Sequence, residues 1–303
     1  MSKLRTFSFA ILLSGVLPVY AQSVWQPARE ELVGPLYFLS SPLLEGREAG
    51  ERGGKVAAEY IASMMTIYGL SPAGDNAEWF QNVKVEGKTI SLRNVLGMIQ
   101  GIDTTKYVVV GAHYDHLGMR NDSIYTGAND NASGVSGMLA IAHRWSSRDD
   151  LPPCNLIFAA WDAEEKGSIG SHYFVQHFAP GITSVLFYIN LDMIARSDPE
   201  DTLCNKLDAG ILAGRTDIKE MTERSNISSG ANLVLDFWET EGDGESDYIY
   251  FAKNKIPILT FFAGLNDGYH TPADTRDKID WEKMLRVAKL ANGCLEGFLD
   301  RLK

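Results

Sequence analysis

Cysteine is nearly absent from this chain: Cys154, Cys204 and Cys294 are the only three in 303 residues. A disulfide-stapled framework is excluded, because three cysteines allow one bridge at most, and no two stand at zinc-ligand spacing. Cys154 opens an apolar strand and Cys294 falls in a helical stretch, so the cysteines read as buried apolar residues. Positive charge is also scarce, with 28 Lys and Arg against 39 Asp and Glu and a net charge of −11. An acidic surface repels nucleic acid, so no nucleic-acid partner is expected. Long apolar runs are missing beyond the first twenty residues, so no membrane-spanning helix and no stable membrane association are expected. There is no internal repeat and no linker rich in Pro, Gly or Ser. What remains is 45% hydrophobic and 22% charged, an ordinary balance for a globular protein with a full core.

The first segment reads as a leader. Lys3 and Arg5 form a basic start, Phe7 to Leu17 is a short apolar run, and Val19-Tyr20-Ala21 offers a cleavage site. Residues 1–21 are therefore expected to be a signal peptide, cleaved near Ala21, and the protein to be exported to the periplasm or secreted. Residues 22–303 are expected to form one domain.

Along that domain, residues 27–40 and 51–68 have helical apolar spacing, and the glycine- and charge-rich stretch between them reads as a loop. Residues 80–86 and 91–100 look like a strand pair joined at Gly87-Lys88. Then the pattern alternates. Tyr107–Ala112, Asn155–Trp161, Val185–Leu191 and Pro257–Phe262 are continuous apolar runs, as expected of strands buried on both faces. Further strands fall near 209–213 and 233–237. Helices are expected over 132–146, 167–178, 217–228 and 281–302. Strands alternating with helices predict an α/β fold, with a central mixed, mostly parallel β-sheet flanked by helices.

Six residues of metal-binding type stand in five short segments: His113 in AHYDHLG, Asp130 in GANDNASG, Glu164 and Glu165 in WDAEEKGSIGS, Asp192 in NLDMIA and His270 in GYHTPADT. His113 and Asp192 end strands, while the Glu pair and His270 follow strands closely. In open α/β sheets, ligands bind outside the carboxyl ends of the strands, so these side chains converge on one edge, which scattered surface charges would not do. Asp115 could accept the ring N–H of His113 and fix its tautomer; His116 stands nearby and ranks below His113. Asp130 enters a helix where an N-cap is common, but Asn129 and Asn131 flank it and can serve that role. Of the adjacent Glu164 and Glu165, one suits a metal and the other a proton. A carboxylate ending an apolar strand, as Asp192 does, needs a partner. Tyr269 could donate to a developing oxyanion. Two His and three carboxylates suit zinc, with cobalt or manganese as substitutes. Five ligands exceed the three of one open catalytic zinc and suit two metals sharing a carboxylate.

In order and spacing these segments resemble the co-catalytic dizinc aminopeptidases, metallopeptidase family twenty-eight. The resemblance runs from LEGREAG (Leu44–Gly50) through NVLG (Asn94–Gly97) to PADT (Pro272–Thr275). It implies a zinc-exopeptidase fold of the phosphorylase/hydrolase-like kind, with His113 and Asp192 on one zinc and Glu165 and His270 on the other. Asp130 would bridge the two, Glu164 would be the general base, Asp115 the partner of His113, and Asn131 would follow a cis peptide bond. The implied activity is hydrolysis of N-terminal peptide bonds, with a peptide or amino-acid amide as substrate. SDYIYF (Ser246–Phe251) is similar to a family loop near the substrate, which makes Asp247 a candidate substrate contact. Two other readings stand beside it. A glutaminyl cyclase shares the fold but uses one zinc, and a peptidase-like binding protein without activity would be expected to lack a ligand or the base.

Overall fold

Buried parallel strands carry side chains into a core on each face, and β4 and β7 show this residue by residue. Val108 and Val110 of β4 (Asp103–His113) pack with Leu156, Phe158 and Ala160 of β7 (Cys154–Trp161) on one side. Val109 packs with Ile157, Ala159 and Trp161 on the other. This is the period of two expected of a strand with no wet face. The structure is a computed structural model describing residues 24–85, 87 and 90–303. The expected signal peptide and Lys88 of the expected 87–88 connection lie outside the described residues.

Before β4 come helices α1 (Arg29–Leu39) and α2 (Arg52–Ile67) and strands β1 (Ser71–Pro72), β2 (Phe80–Val83) and β3 (Leu92–Ile99). A small hairpin, β5 (Gly118–Arg120) and β6 (Ser123–Tyr125), follows β4 and precedes α3 (Gly134–Ser146). After β7 come α4 (Ile169–His177), β8 (Val185–Asp192), β9 (Lys206–Leu212), α5 (Thr216–Ser228), β10 (Val234–Thr240), α6 (Tyr248–Lys253), β11 (Ile258–Phe262) and α7 (Trp281–Leu299). The main sheet runs β1-β3-β7-β4-β8-β11-β9-β10, with β2 also on β3. Its centre, β7-β4-β8-β11, is parallel, whereas β3 joins β7 and β9 joins β11 antiparallel. The expected mixed, mostly parallel sheet is the one observed. Helix α3 covers β4, β7 and β8 on one face; α4 and α6 cover the other through β3 and β11.

Two expectations are corrected. SDYIYF reads as a loop, but its last four residues begin α6, whose six residues are too few to reveal a helical period. Cys204 is exposed; only Cys154 and Cys294 are buried, and all three are free thiols. No helix among the described residues is long and apolar enough to cross a membrane.

Candidate active site

Parallel pairing puts the carboxyl ends of the four central strands on one edge, and the predicted residues gather there. Gly111 of β4 pairs with Asn190 of β8. Two residues on, His113 Nε2 lies 3.3 Å from Asp192 Oδ1. Phe262, the last residue of β11, pairs with Asp192, and the loop after it carries His270 to the same place. His270 Nε2 stands 3.2 Å from both Glu165 Oε2 and Asp130 Oδ2.

Asp130 arrives from a different direction, in a tight turn over Ala128–Ser133 just ahead of α3. Its other oxygen, Oδ1, is 3.5 Å from His113 Nε2, so the carboxylate lies between the two histidines. The turn is held from several sides. Asp274 accepts the N–H groups of Asn129 and Asp130, each at 2.9 Å. Asn131 donates to the Leu191 carbonyl and accepts from the N–H of Gly134 and Met193. The Asp130–Asn131 peptide bond is cis. Gly134 permits the close approach of this turn to β8, since a Cβ there would come within 2.3 Å of the Leu191 carbonyl oxygen.

Arg47, from LEGREAG, lies behind the site with no exposed surface. Its guanidinium donates to the carbonyls of Leu39, Thr126, Tyr114 and Gly127 at 2.5, 2.5, 2.9 and 3.0 Å. Arg47 and Asp274 both fall within segments that resemble the family, but their positions along the sequence do not reveal what they hold.

The electrostatics are those of a crowded acidic pocket. Burial pushes the carboxyl of Glu164 well above its ordinary range, against the pull of His113, with Asp247 and Asp192 adding to the rise. Burial likewise raises Asp115. For Glu165 burial acts upward too, but hydrogen bonds with His116 and His270 outweigh it and hold the group far below the usual range. His270 is raised to about 10 by its contacts with Asp130 and Glu165. Burial lowers His113, yet Asp192 and Glu164 overcome it and raise the ring well above its ordinary value. So many carboxylates at one point are relieved by protons or by cations among them.

The donor set fits a metal. One donor atom each from His113, Asp130 and Asp192 lie within 4.8 Å of one another, and so do atoms of His116, Asp130 and Glu165. All are nitrogen or oxygen, as zinc accepts. Glu164 stands slightly apart: its Oε2 is 4.0 Å from His113 Nε2, and its Oε1 accepts from the Ser168 hydroxyl at 3.4 Å.

Three expected roles look different in three dimensions. Asp115 is 3.8 Å from His113 Nδ1, beyond a hydrogen bond, and the nearer acceptor is its own carbonyl at 3.3 Å. Its carboxylate instead accepts the backbone N–H groups of Glu164 and Glu165 at 2.9 and 3.3 Å, so it places the acidic pair. Asp247, expected as a substrate contact, is fully buried, and neither carboxylate oxygen has a hydrogen-bond partner among the described residues. Its neighbours Ser246 and Tyr248 line the cavity instead, because the turn into α6 points its side chain inward. Ser246 donates to Asp192 Oδ2 at 2.7 Å. His116, ranked low from sequence, sits against Glu165 at 2.7 Å.

A cavity of about 750 Å³ opens on this cluster. Trp238, Tyr248, Ile249, Phe262 and Leu265 give it an apolar wall, and Tyr269 and His270 stand at the end with the carboxylate–histidine cluster. The Tyr269 ring stacks on His270 with centroids 3.9 Å apart.

Fold and site together define an α/β protein with a carboxylate–histidine cluster, of a kind that could hold metal, beside its strand ends. The chain belongs to peptidase family M28: the family profile matches residues 94–294. Among relatives, it is 30% identical over 204 residues to a probable leucine aminopeptidase 2 of Aspergillus oryzae, covering 64% of this chain and 38% of that one. The structure is similar to the LapA aminopeptidase of Legionella pneumophila, with a TM-score of 0.76 at 21% identity, covering 99% of this chain and 80% of that one. It is also similar to a zinc aminopeptidase of Bacillus subtilis, with a TM-score of 0.72 at 17% identity over 89% of this chain and 95% of that one. The chain spans 32–44% of the length of the first relatives it matches by sequence.

Proposed function

We propose that this protein is a zinc aminopeptidase that holds two metal ions and hydrolyses the N-terminal peptide bond of a peptide or amino-acid amide. The observation that carries this reading is the spacing of the donors. His113 with Asp192, and His270 with Glu165, stand 3.2–3.3 Å apart, and the two oxygens of Asp130 face one pair each. When bound, the metals supply Lewis acidity and lower the proton affinity of water near neutral pH. His113, Asp130 and Asp192 would hold one ion, and Glu165, Asp130 and His270 the other.

The remaining chemistry belongs to the chain. Glu164 takes the proton of the attacking water and returns it to the leaving amine nitrogen. Asp115 holds Glu164 and Glu165 in place through their backbone N–H groups. Tyr269 donates its hydroxyl hydrogen to the oxyanion of the tetrahedral intermediate. Burial, with Asp130 and Glu165 close by, raises that phenol, so it remains a donor throughout the neutral range.

The test is metal analysis of the protein together with a screen of amino-acid amides, dipeptides and Leu- and Gln-blocked reporters. Two equivalents of zinc and release of free amine from the amide are expected. One equivalent with pyroglutamyl product from the Gln reporter would point to a cyclase instead. Export follows from the leader pattern, and the expected exported chain begins after Ala21; an exported chain still beginning at Met1 would sink that reading.

Metal loading should also be proton-linked. With His270 raised to about 10, the metal-free ring carries a proton at neutral pH that zinc must displace. Zinc affinity should therefore climb as pH rises from about 6 to about 9, by about tenfold per unit for each proton released. Calorimetric titrations in buffers of different ionisation enthalpy measure the released protons, and an affinity flat across that range contradicts the assignment of His270.

A further inference from the structure

Two histidines face the Glu165 carboxylate, and only one stands where a shared metal would put it. Donor atoms on one tetrahedral zinc, each about 2.0–2.1 Å from the ion, lie about 3.3 Å from one another. His270 Nε2 meets that spacing to Asp130 and Glu165, and His113 Nε2 to Asp192. His116 does not. Its Nδ1 is 2.7 Å from Glu165 Oε1 and 3.7 Å from Asp130 Oδ2. The first has the length of a charge-assisted hydrogen bond and is closer than donors on one ion stand; the second is longer than either of the pairs just named.

The other ring nitrogen strengthens the distinction. His116 is buried, and its Nε2 has no hydrogen-bond partner among the described residues. A proton on Nε2 would be a buried donor without an acceptor, whereas a proton on Nδ1 has the carboxylate of Glu165. Nor is the ring free to swing. A Cβ at Gly127 would lie 2.6 Å from its Cγ and Cδ2, and the His116 backbone N–H is tied to the Arg47 carbonyl at 3.3 Å.

We infer that His116 is a positioning residue: its Nδ1–H holds Oε1 of Glu165, so that Oε2 is presented to the metal beside His270. The inference rests on the two-metal reading and names what selects the ligating oxygen at one of the two positions. A ring hydrogen-bonded to Glu165 while His270 occupies the ligand position also explains why the chain carries two histidines at this carboxylate.

His116→Asn and His116→Leu separate the roles. Asparagine can place an amide N–H near the Nδ1 position, and leucine offers similar bulk without a donor. Zinc affinities of the full chain are read by competition with a chromophoric chelator, with circular dichroism as a check on folding. Wild type is expected to bind two equivalents. H116L should weaken one of them about 10- to 100-fold, the usual effect of losing a ligand's hydrogen-bond partner, and leave the other unchanged. H116N should bind both within a few-fold of wild type. A loss in H116N as deep as in H116L would make His116 a metal ligand and overturn the inference, as would unchanged affinities in H116L. If H116L does not fold, H116N decides against wild type: both equivalents within a few-fold support the inference, and a loss of about tenfold or more in one overturns it. A single equivalent in wild type would overturn the two-metal reading itself, an outcome distinct from failure of either variant.

Discussion

Glu164→Gln is expected to leave two zinc ions bound and to lower kcat by at least about 100-fold, with KM little changed. Glu164 stands outside the donor spacing, so its loss should not empty the site. Its proton affinity is set by burial first, then lowered by His113 and raised again by Asp247 and Asp192. Bound cations would oppose that rise, and a carboxylate raised by its surroundings can both accept a proton from water and give it up to an amine. Glutamine keeps the shape and an acceptor for the Ser168 hydroxyl but cannot take a proton. The checks are metal content and steady-state kinetics on an amino-acid amide. Hydrolysis at the wild-type rate would remove Glu164 from the mechanism, and loss of a metal would make it a ligand.

Arg47→Ala should cost at least about 4 kcal/mol of stability, a large part of the roughly 5–15 kcal/mol that holds an ordinary domain folded. The guanidinium fastens three separate stretches: the Leu39 carbonyl at the end of α1, the Tyr114 carbonyl beside His113, and the Thr126 and Gly127 carbonyls leading to Asp130. Each buried carbonyl left without a partner costs about 1–3 kcal/mol. The same change removes a fixed cation close to Asp130, Asp274, Asp115 and Glu165. Burial lowers Arg47 to about 10, so it is still charged at neutral pH. Arg47→Lys keeps a charge but offers three donors from a single point in place of a planar fork, and should lose part of the stability and still fold. Urea denaturation midpoints measure both. An alanine variant within about 1 kcal/mol of wild type would show that the carbonyls find other partners.

Much of the site is legible in the sequence because its residues ride on strands that announce themselves. Runs such as YVVVGA and NLIFAAW have no polar alternation, which is the mark of strands buried on both faces. Parallel neighbours must then end on the same edge, so His113, the Glu pair, Asp192 and His270 converge. Asp130 is harder, since a carboxylate before a helix reads equally well as a cap. Its place depends on Asp274 and Asn131: Asp274 accepts an N–H from 144 residues back along the chain, and Asn131 reaches a carbonyl 60 residues on. Asp115 shows the limit of local reading: two residues from His113, it invites a contact with that ring. Its carboxylate turns instead to the backbone of Glu164 and Glu165, 49 and 50 residues on.

The sequence by itself determined the class of fold, the edge where chemistry collects and the residue types gathered there, because hydrophobic period and strand direction are local properties. Only the tertiary structure decided where the groups stand: Asp130 between two histidines, His116 against Glu165, Arg47 beneath three separate stretches of chain, Asp247 buried. Those placements turn on differences of about an ångström between groups far apart in the chain, and such distances exist only once the sheet has brought the strand ends together.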